Sequence, residues 1–343
     1  MKKIGIITIT DNNLGNRLQN YALQEVIRNF GYEVETLQRG KKNSSLARHF
    51  KYLIKKILKK KDWKFRKFDK KIYWSPFSLA VQGDKDRIVE NYDLFVAGSD
   101  QVWNPNFAGT NDDVFLTFAS KEKRISYAAS FGVSELPSNL LEKYENYMKG
   151  FKAISVREKQ AVKIVEQFEN CYAELVLDPT LLLSRDEWDK IIKAPKIKNK
   201  YVLKYLLGED QSACNQMIKE LFRDITVIDV KKLLSGGKNA IGPAEFLGFV
   251  KNAELICTDS FHASVFSTIF EKPFVIFDRT DKEKDMSSRI DSLCEMLSLQ
   301  EHRYSSPDFD LSKVMHPDYK NTNISLEQEK NKSFFYLTDA IEN

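Results

Sequence analysis

Apolar residues along this chain gather in short β-branched runs, separated by stretches in which they recur every three or four positions. The run at 3–9 predicts a buried strand. From 17 to 30, Leu18, Tyr21, Ala22, Val26 and Phe30 mark one face of a helix, Gly31 supplies its stop, and 32–37 resumes as a strand. Strand, helix and strand in such short order predict a βαβ unit with parallel strands and a right-handed crossover. The alternation continues with strands at 92–97, 124–128, 153–156 and 174–177 and a helix at 158–168. Beyond a polar stretch at 193–200 a second series predicts strands at 201–206, 225–230, 254–258 and 273–277, with helices at 212–222, 243–251 and 260–270. A last amphipathic helix is expected at 326–341.

One break in an otherwise regular alternation predicts two doubly wound α/β domains. The expected boundaries are 1–185 and 186–325, with 326–343 packing back on the first domain. A length of 343 residues, 42% of them hydrophobic and 12% aromatic, suits two cores and excludes disorder as the main state. Met1-Lys-Lys3 resembles the basic start of a signal peptide, but the apolar run after it is short and broken by Thr8 and Thr10, as in a first strand. No run approaches the length of a membrane helix. Cys171, Cys214, Cys257 and Cys294 lie far apart without C-x-x-C spacing, which fits a reducing cytoplasm and argues against a zinc site. No metal or cofactor is expected.

Charge changes the picture at one place. Residues 41–71 hold fourteen Lys or Arg against two Asp, a local +12 that leaves about −7 for the rest of a chain whose net charge is +5. Within that segment Leu46, Phe50, Leu53, Ile54, Ile57 and Leu58 fall at helical spacing. A helix at 45–71 with one apolar and one cationic face, inserted in the first domain, suits peripheral contact with an anionic membrane, and a solvated helix packed on that domain is the other reading. Nucleic acid is not expected, because no binding module accompanies the lysines.

The sequence lacks G-x-G-x-x-G after its first strand, G-x-x-x-x-G-K-[ST], H-E-x-x-H and G-x-S-x-G, which weighs against a dehydrogenase, a P-loop NTPase, a zincin and an α/β-hydrolase. Parallel sheets bind ligands beyond the C-terminal ends of their strands, so the loops there are the candidates. After the first strand, Asn16, Arg17 and Gln19 offer an anion or sugar site or a polar turn with its cap. After the strand at 92–97, Asp100, Trp103 and Asn104 resemble a sugar-binding edge in which the indole stacks on a ring; Asp100 as a cap and Trp103 as core are the alternative. Arg157 stands where a strand gives way to a helix and offers a fork to a carboxylate or phosphate, or pairs with Glu158. His262 follows Asp259 and Ser260 into the first turn of a helix, where the dipole disfavours imidazolium and keeps a proton transferable. His49, His302 and His316 have no such setting. Arg279 and Arg289 add positive charge to the same crevice.

Five blocks carry a family resemblance. They are Gly15-Asn-Arg-Leu-Gln-Asn-Tyr-Ala-Leu-Gln24, Ala97-Gly-Ser-Asp-Gln-Val-Trp-Asn-Pro105, Ser155-Val-Arg-Glu158, Leu177-Asp-Pro-Thr180 and Thr258-Asp-Ser-Phe-His-Ala263. In this order and spacing they resemble the polysaccharide pyruvyl transferases. The resemblance implies two Rossmann-like domains facing a central cleft, as in GT-B glycosyltransferases, and transfer of pyruvate from phosphoenolpyruvate to a sugar as a ketal. It makes His262 the catalytic acid/base and places the donor with Arg157, Ser260, Arg279 and Arg289. The acceptor, a sugar or lipid-linked oligosaccharide, falls to Asn16, Arg17, Gln19, Asp100, Trp103 and Asn104. Many members carry an Arg one or two positions before that histidine; this chain has Ser260 and Phe261, so Arg279 or Arg289 supplies the charge or the donor differs. A GT-B glycosyltransferase with a nucleotide-sugar donor and a non-catalytic carbohydrate-binding protein at the membrane are the alternative readings.

Overall fold

Strand β1 (Lys3–Ile7) is buried from Ile4 onward, with a parallel neighbour on each side: Ile4 stands opposite both Val34 and Leu94. A strand covered on both faces needs an unbroken apolar run, and Ile-Gly-Ile-Ile provides it. The computed structural model describes residues 1–40, 60–236, 240–279, 287–306 and 309–343. From β1 the chain enters helix α1 (Leu14–Asn29), whose first turn is capped by the Asn13 side chain accepting from the Gly15 and Asn16 amides. Capping at Asn13 starts the helix three residues before the apolar periodicity does, so Asn16 is helical rather than part of a loop. The αL conformation of Gly31 then turns the chain into β2 (Glu33–Gln38).

Helix α2 (Lys60–Asp69) follows, then β3 (Trp74–Ser78), α3 (Asp84–Asn91), β4 (Leu94–Ala97), β5 (Arg124–Ser126), α4 (Leu141–Lys149), β6 (Ser155–Val156), α5 (Lys159–Glu166) and β7 (Glu174–Leu175). The five-stranded sheet has the order β3-β2-β1-β4-β5, all parallel. Parallel bridges Ile125–Ala153 and Ala129–Val156 continue it to the β6–β7 pair. β3 was not expected from sequence. It contains Pro76, which lacks a ladder donor, and it occupies the sheet edge where proline is tolerated.

The second series runs through α6 (Arg185–Asp189), β8 (Tyr201–Tyr205), α7 (Ser212–Leu221), β9 (Thr226–Asp229), α8 (Val230–Leu234), α9 (Pro243–Asn252), β10 (Leu255–Thr258), α10 (Phe261–Ile269), β11 (Phe274–Ile276), α11 (Ser287–Leu297), α12 (Leu311–Met315) and α13 (Lys320–Glu342). Its parallel sheet has the order β11-β10-β8-β9. In both sheets the strand order thus reverses beside the first strand, between β1 and β4 in one and between β8 and β10 in the other. The chain is α/β with two Rossmann-like parallel sheets.

The residues divide into two compact units. The first holds the N-terminal segment, Asp69–Leu182 and Gln328–Asn343; the second holds Leu183–Glu327 and a stretch ending at Phe68. The end of α13 is tied to the first unit by Leu177 N–H donating to Ser333 Oγ (3.0 Å) and Tyr336 O–H donating to the Ser126 carbonyl (2.9 Å). The described end of the basic segment departs from expectation, because α2 groups mainly with the second unit rather than the first. Phe65 and Phe68 are buried, Lys64 pairs with Glu245, and a Cβ on Gly242 would stand 2.8 Å from Lys64 Cβ. Residues 41–59, which carry the predicted apolar stripe, lie outside the described residues. No helix among the described residues is long and apolar enough to cross a membrane.

Candidate functional site

In the first unit the polar residues of four sequence blocks meet in one buried network. Arg157 lies at the end of β6 with its side chain wholly buried. Its Nη1 donates to Asp178 Oδ2 (2.8 Å) and Ser99 Oγ (3.2 Å), and its Nη2 to Asp100 Oδ1 (3.0 Å). Asp178 also accepts from Ser99 Oγ (2.7 Å), and its other oxygen from the Thr180 amide and hydroxyl. The Ser99 carbonyl accepts from Thr8 Oγ1 (2.8 Å), which itself accepts from Gln19 Nε2 (2.7 Å). Burial pushes the guanidinium pKa down, but Asp100, Asp178 and Glu158 outweigh it and hold the value above normal. The network thereby fastens the loops after β1, β4, β6 and β7 to one another.

That placement corrects several expectations. Arg157 was expected to offer its fork to a donor anion, but the fork is spent on Asp100 and Asp178. Asp100 is the reciprocal half of that pair and sits in the left-handed region at φ 77°, its carbonyl taking the Ser130 amide. Trp103 was expected to stack on a sugar. It is 0% exposed, stacked on Phe115 (centroids 5.9 Å apart) and enclosed by Phe131 and Phe151, so it is core. Asn104 is buried and shapes its own loop, donating to Gln101 Oε1 (2.8 Å) and accepting from the Asn106 amide (2.9 Å). In α1, Asn16, Arg17 and Gln19 are all buried, and Arg17 is drawn to Asp69 (Nε to Oδ1, 2.7 Å) with Trp74 beneath it.

A large opening in this unit lies beside these residues, where the sheet order reverses. A cleft of about 690 Å³ runs beyond the ends of β1, β2 and β4, lined by Asp11, Arg39, Gln101, Asn106, Phe107 and Asp113 among others. Sequence reasoning missed it. Its signals were Arg39-Gly40 directly after a strand and the loop at 106–113, rich in Asn, Gly and Asp.

In the second unit the corresponding reversal carries His262. Helix α10 is buried at every position except His262, which is half-buried at the second residue of the first turn. Ser264, Ser267 and Thr268 fit inside because each hydroxyl donates to the carbonyl four residues back. Only the histidine is therefore partly exposed on this helix. Ser260 occupies the cap position without a side-chain capping bond, while Asp259 reaches across to accept from the Leu207 and Gly208 amides (2.7 Å each) after β8. Arg279 Nε approaches Asp259 Oδ2 (3.4 Å). The Tyr205 hydroxyl is pushed up to about 12 by burial and by Asp259, against Arg279. Arg289 lies buried near the start of α11. His302 is a core residue stacked on Phe274, its pKa lowered by burial, and His316 is exposed.

The structure thus brings Ser260, Asp259, Arg279 and Tyr205 together near the base of the helix that presents His262. A family model of the polysaccharide pyruvyl transferases matches residues 13–281, from Asn13 at the head of α1 to beyond β11. The chain belongs to the polysaccharide pyruvyl transferase family. No curated protein sequence matches it. Among solved structures it resembles S. aureus MnaA bound to UDP (13% identity, 98% of this chain and 97% of that one, TM-score 0.51). A UDP-GlcNAc 2-epimerase from Neisseria meningitidis bound to UDP-GlcNAc is similar at 10% identity, 99% of both chains and TM-score 0.51. An α-glucosyltransferase in complex with UDP matches at 10% identity, 98% of this chain and 95% of that one, TM-score 0.50. At such identities the likeness is one of fold, that of GT-B glycosyltransferases and epimerases.

For this pyruvyl transferase family member, Arg157→Met should strand two buried carboxylates and destabilise the protein by about 3–5 kcal/mol. Arg157→Lys, which keeps the charge but not the two-sided fork, should also lose stability. Urea denaturation followed by circular dichroism checks both, and an unchanged midpoint for Arg157→Met would contradict the network's role.

Proposed function

We propose that this protein transfers the pyruvyl group of phosphoenolpyruvate to two hydroxyls of one sugar as a ketal, in the assembly of a surface polysaccharide. The match of residues 13–281 to the pyruvyl transferase family carries the reading. In this chemistry the methylene carbon of the donor takes a proton and becomes the methyl group. The two sugar oxygens bond to the adjacent carbon, the bond from that carbon to the phosphate oxygen breaks, and phosphate leaves with the second hydroxyl proton.

The second unit is assigned the donor and the first the acceptor. His262 is assigned as the acid/base, imidazole being a side chain that can both give and take a proton in this kind of chemistry. Ser260, Arg279 and Arg289 are assigned to the donor's carboxylate and phosphate. Arg157 has no part in that assignment, its charge being committed inside the first unit. Phosphoenolpyruvate is expected to raise the melting temperature. His262→Ala should keep the fold and slow phosphate release at least about a hundredfold, the usual scale for loss of a general acid/base. Stabilisation by a UDP-sugar but not by phosphoenolpyruvate would replace the donor, and a fully active His262→Ala would remove the histidine from the chemistry.

The acceptor is assigned as a sugar or oligosaccharide carried on lipid, reached at an anionic membrane surface. Trp63 on α2 is 56% exposed, Lys67 lies one turn on with its ammonium 5.8 Å from the indole, and the exposed Lys70 and Lys71 follow, while Phe65 and Phe68 are buried. An aromatic flanked by lysines suits the headgroup region of anionic lipid. Co-sedimentation with phosphatidylserine vesicles should fall on joint replacement of Trp63 by Ala and Lys67, Lys70 and Lys71 by Gln. Undiminished binding would remove the membrane assignment.

A further inference from the structure

The geometry points to the cleft at the sheet reversal of the first unit as a binding site for an uncharged sugar ring, with Phe107 as its stacking face. This rests on the reading of the acceptor as a saccharide and names the residues and the charge class that reading leaves open.

Four observations carry it. Phe107 is 44% exposed and lines the cleft, whereas Trp103, four residues earlier, is consumed by the core. A large apolar ring held open to solvent beside polar groups offers what the face of a pyranose, with its axial C–H bonds, packs against. Second, the lining is dense in groups that bond hydroxyls, namely Gln101, Asn106, Thr110, Asn111, Asp11 and Asp113. Third, the volume of about 690 Å³ is in the range of small-molecule sites and holds more than a monosaccharide. Fourth, among the described residues the charges lining it nearly cancel. Arg39 is the cleft's guanidinium, and it donates to Asn111 Oδ1 (2.9 Å) and the Gly109 carbonyl. Asp11 and Asp113 line the same cleft, and Asp113 also meets Lys85 (3.2 Å). A uronic acid or phosphosugar would bring its charge toward two carboxylates and find Arg39, the one lining cation among the described residues, already hydrogen-bonded. A neutral ring meets no such penalty.

Gly132 supports the floor of this site. It adopts φ 64°, and a Cβ there would come within 2.6 Å of the Gln101 side chain, so the glycine lets Gln101 lie along the cleft.

Saturation-transfer NMR on the full chain, without phosphoenolpyruvate, tests the inference with lactose, cellobiose and maltose against digalacturonic acid. At least one neutral disaccharide should bind, digalacturonate should bind about tenfold more weakly or not at all, and Phe107→Ala should weaken the neutral sugar about tenfold. Phe107 is exposed, so its loss leaves the core intact, and circular dichroism verifies the fold. No binding by any neutral disaccharide at millimolar concentration, equal binding of digalacturonate, or undiminished binding by Phe107→Ala would each overturn it. Because no donor is present, sugar binding that depends on Phe107 stands even if pyruvyl transfer fails. Conversely, transfer with an unchanged acceptor KM in Phe107→Ala sinks this site alone.

Discussion

The first unit depends on a single buried guanidinium. Arg157 is held by Asp178 on one side and Asp100 on the other, and Asp178 and Ser99 extend the contacts to Thr180, Thr8 and Gln19. Buried ion pairs of this kind add little net stability, since desolvation offsets most of the attraction. They are exacting about geometry, because a shift that breaks one contact leaves a charge without compensation. The loops after four strands are fixed in this way, and the cleft opens beside them. The network stands behind the cleft rather than lining it.

The second unit reaches a similar result by other means. Here the loop after β8 is fastened to the end of β10 by the Asp259 carboxylate, which takes two successive amides, and Arg279 flanks it. The buried helix α10 hides its hydroxyls by bonding them to its own carbonyls and leaves His262 as its half-exposed position. In both units polar side chains gather beyond the C-terminal ends of parallel strands, the end at which open sheets leave a crevice where their order reverses.

Much of this was legible in the sequence, for reasons that differ by element. The strands of both sheets were visible because burial on two faces demands runs such as Ile4 to Ile7 and Leu255 to Thr258. β3 was hidden by Pro76, which only its place at the sheet edge explains. The place of His262 in a first turn was readable because a strand end and the start of the next helix are local, but Asp259 turns to the distant Leu207 and Gly208 amides and Ser260 makes no side-chain cap. The fates of Arg157 and Trp103 were not. The carboxylates that claim Arg157 lie 57 and 21 residues away, and the rings that bury Trp103 come from three separate segments. The same holds for the cleft, whose Arg39 is bonded to residues 70 and 72 positions along the chain. A loop's polarity announces that something binds there; which of its residues face the opening is decided by distant packing.

The fate of one hydrogen tests the proposed pyruvyl transfer most directly. In D2O, with phosphoenolpyruvate and an accepted sugar, the methylene carbon must gain one deuteron from solvent as the ketal forms. After back-exchange of the hydroxyls, mass spectrometry should find a pyruvylated product with a single carbon-bound deuterium in its methyl group and an equal yield of phosphate. A product that gains a hexose from a nucleotide sugar, or one without a new methyl group, would contradict the account.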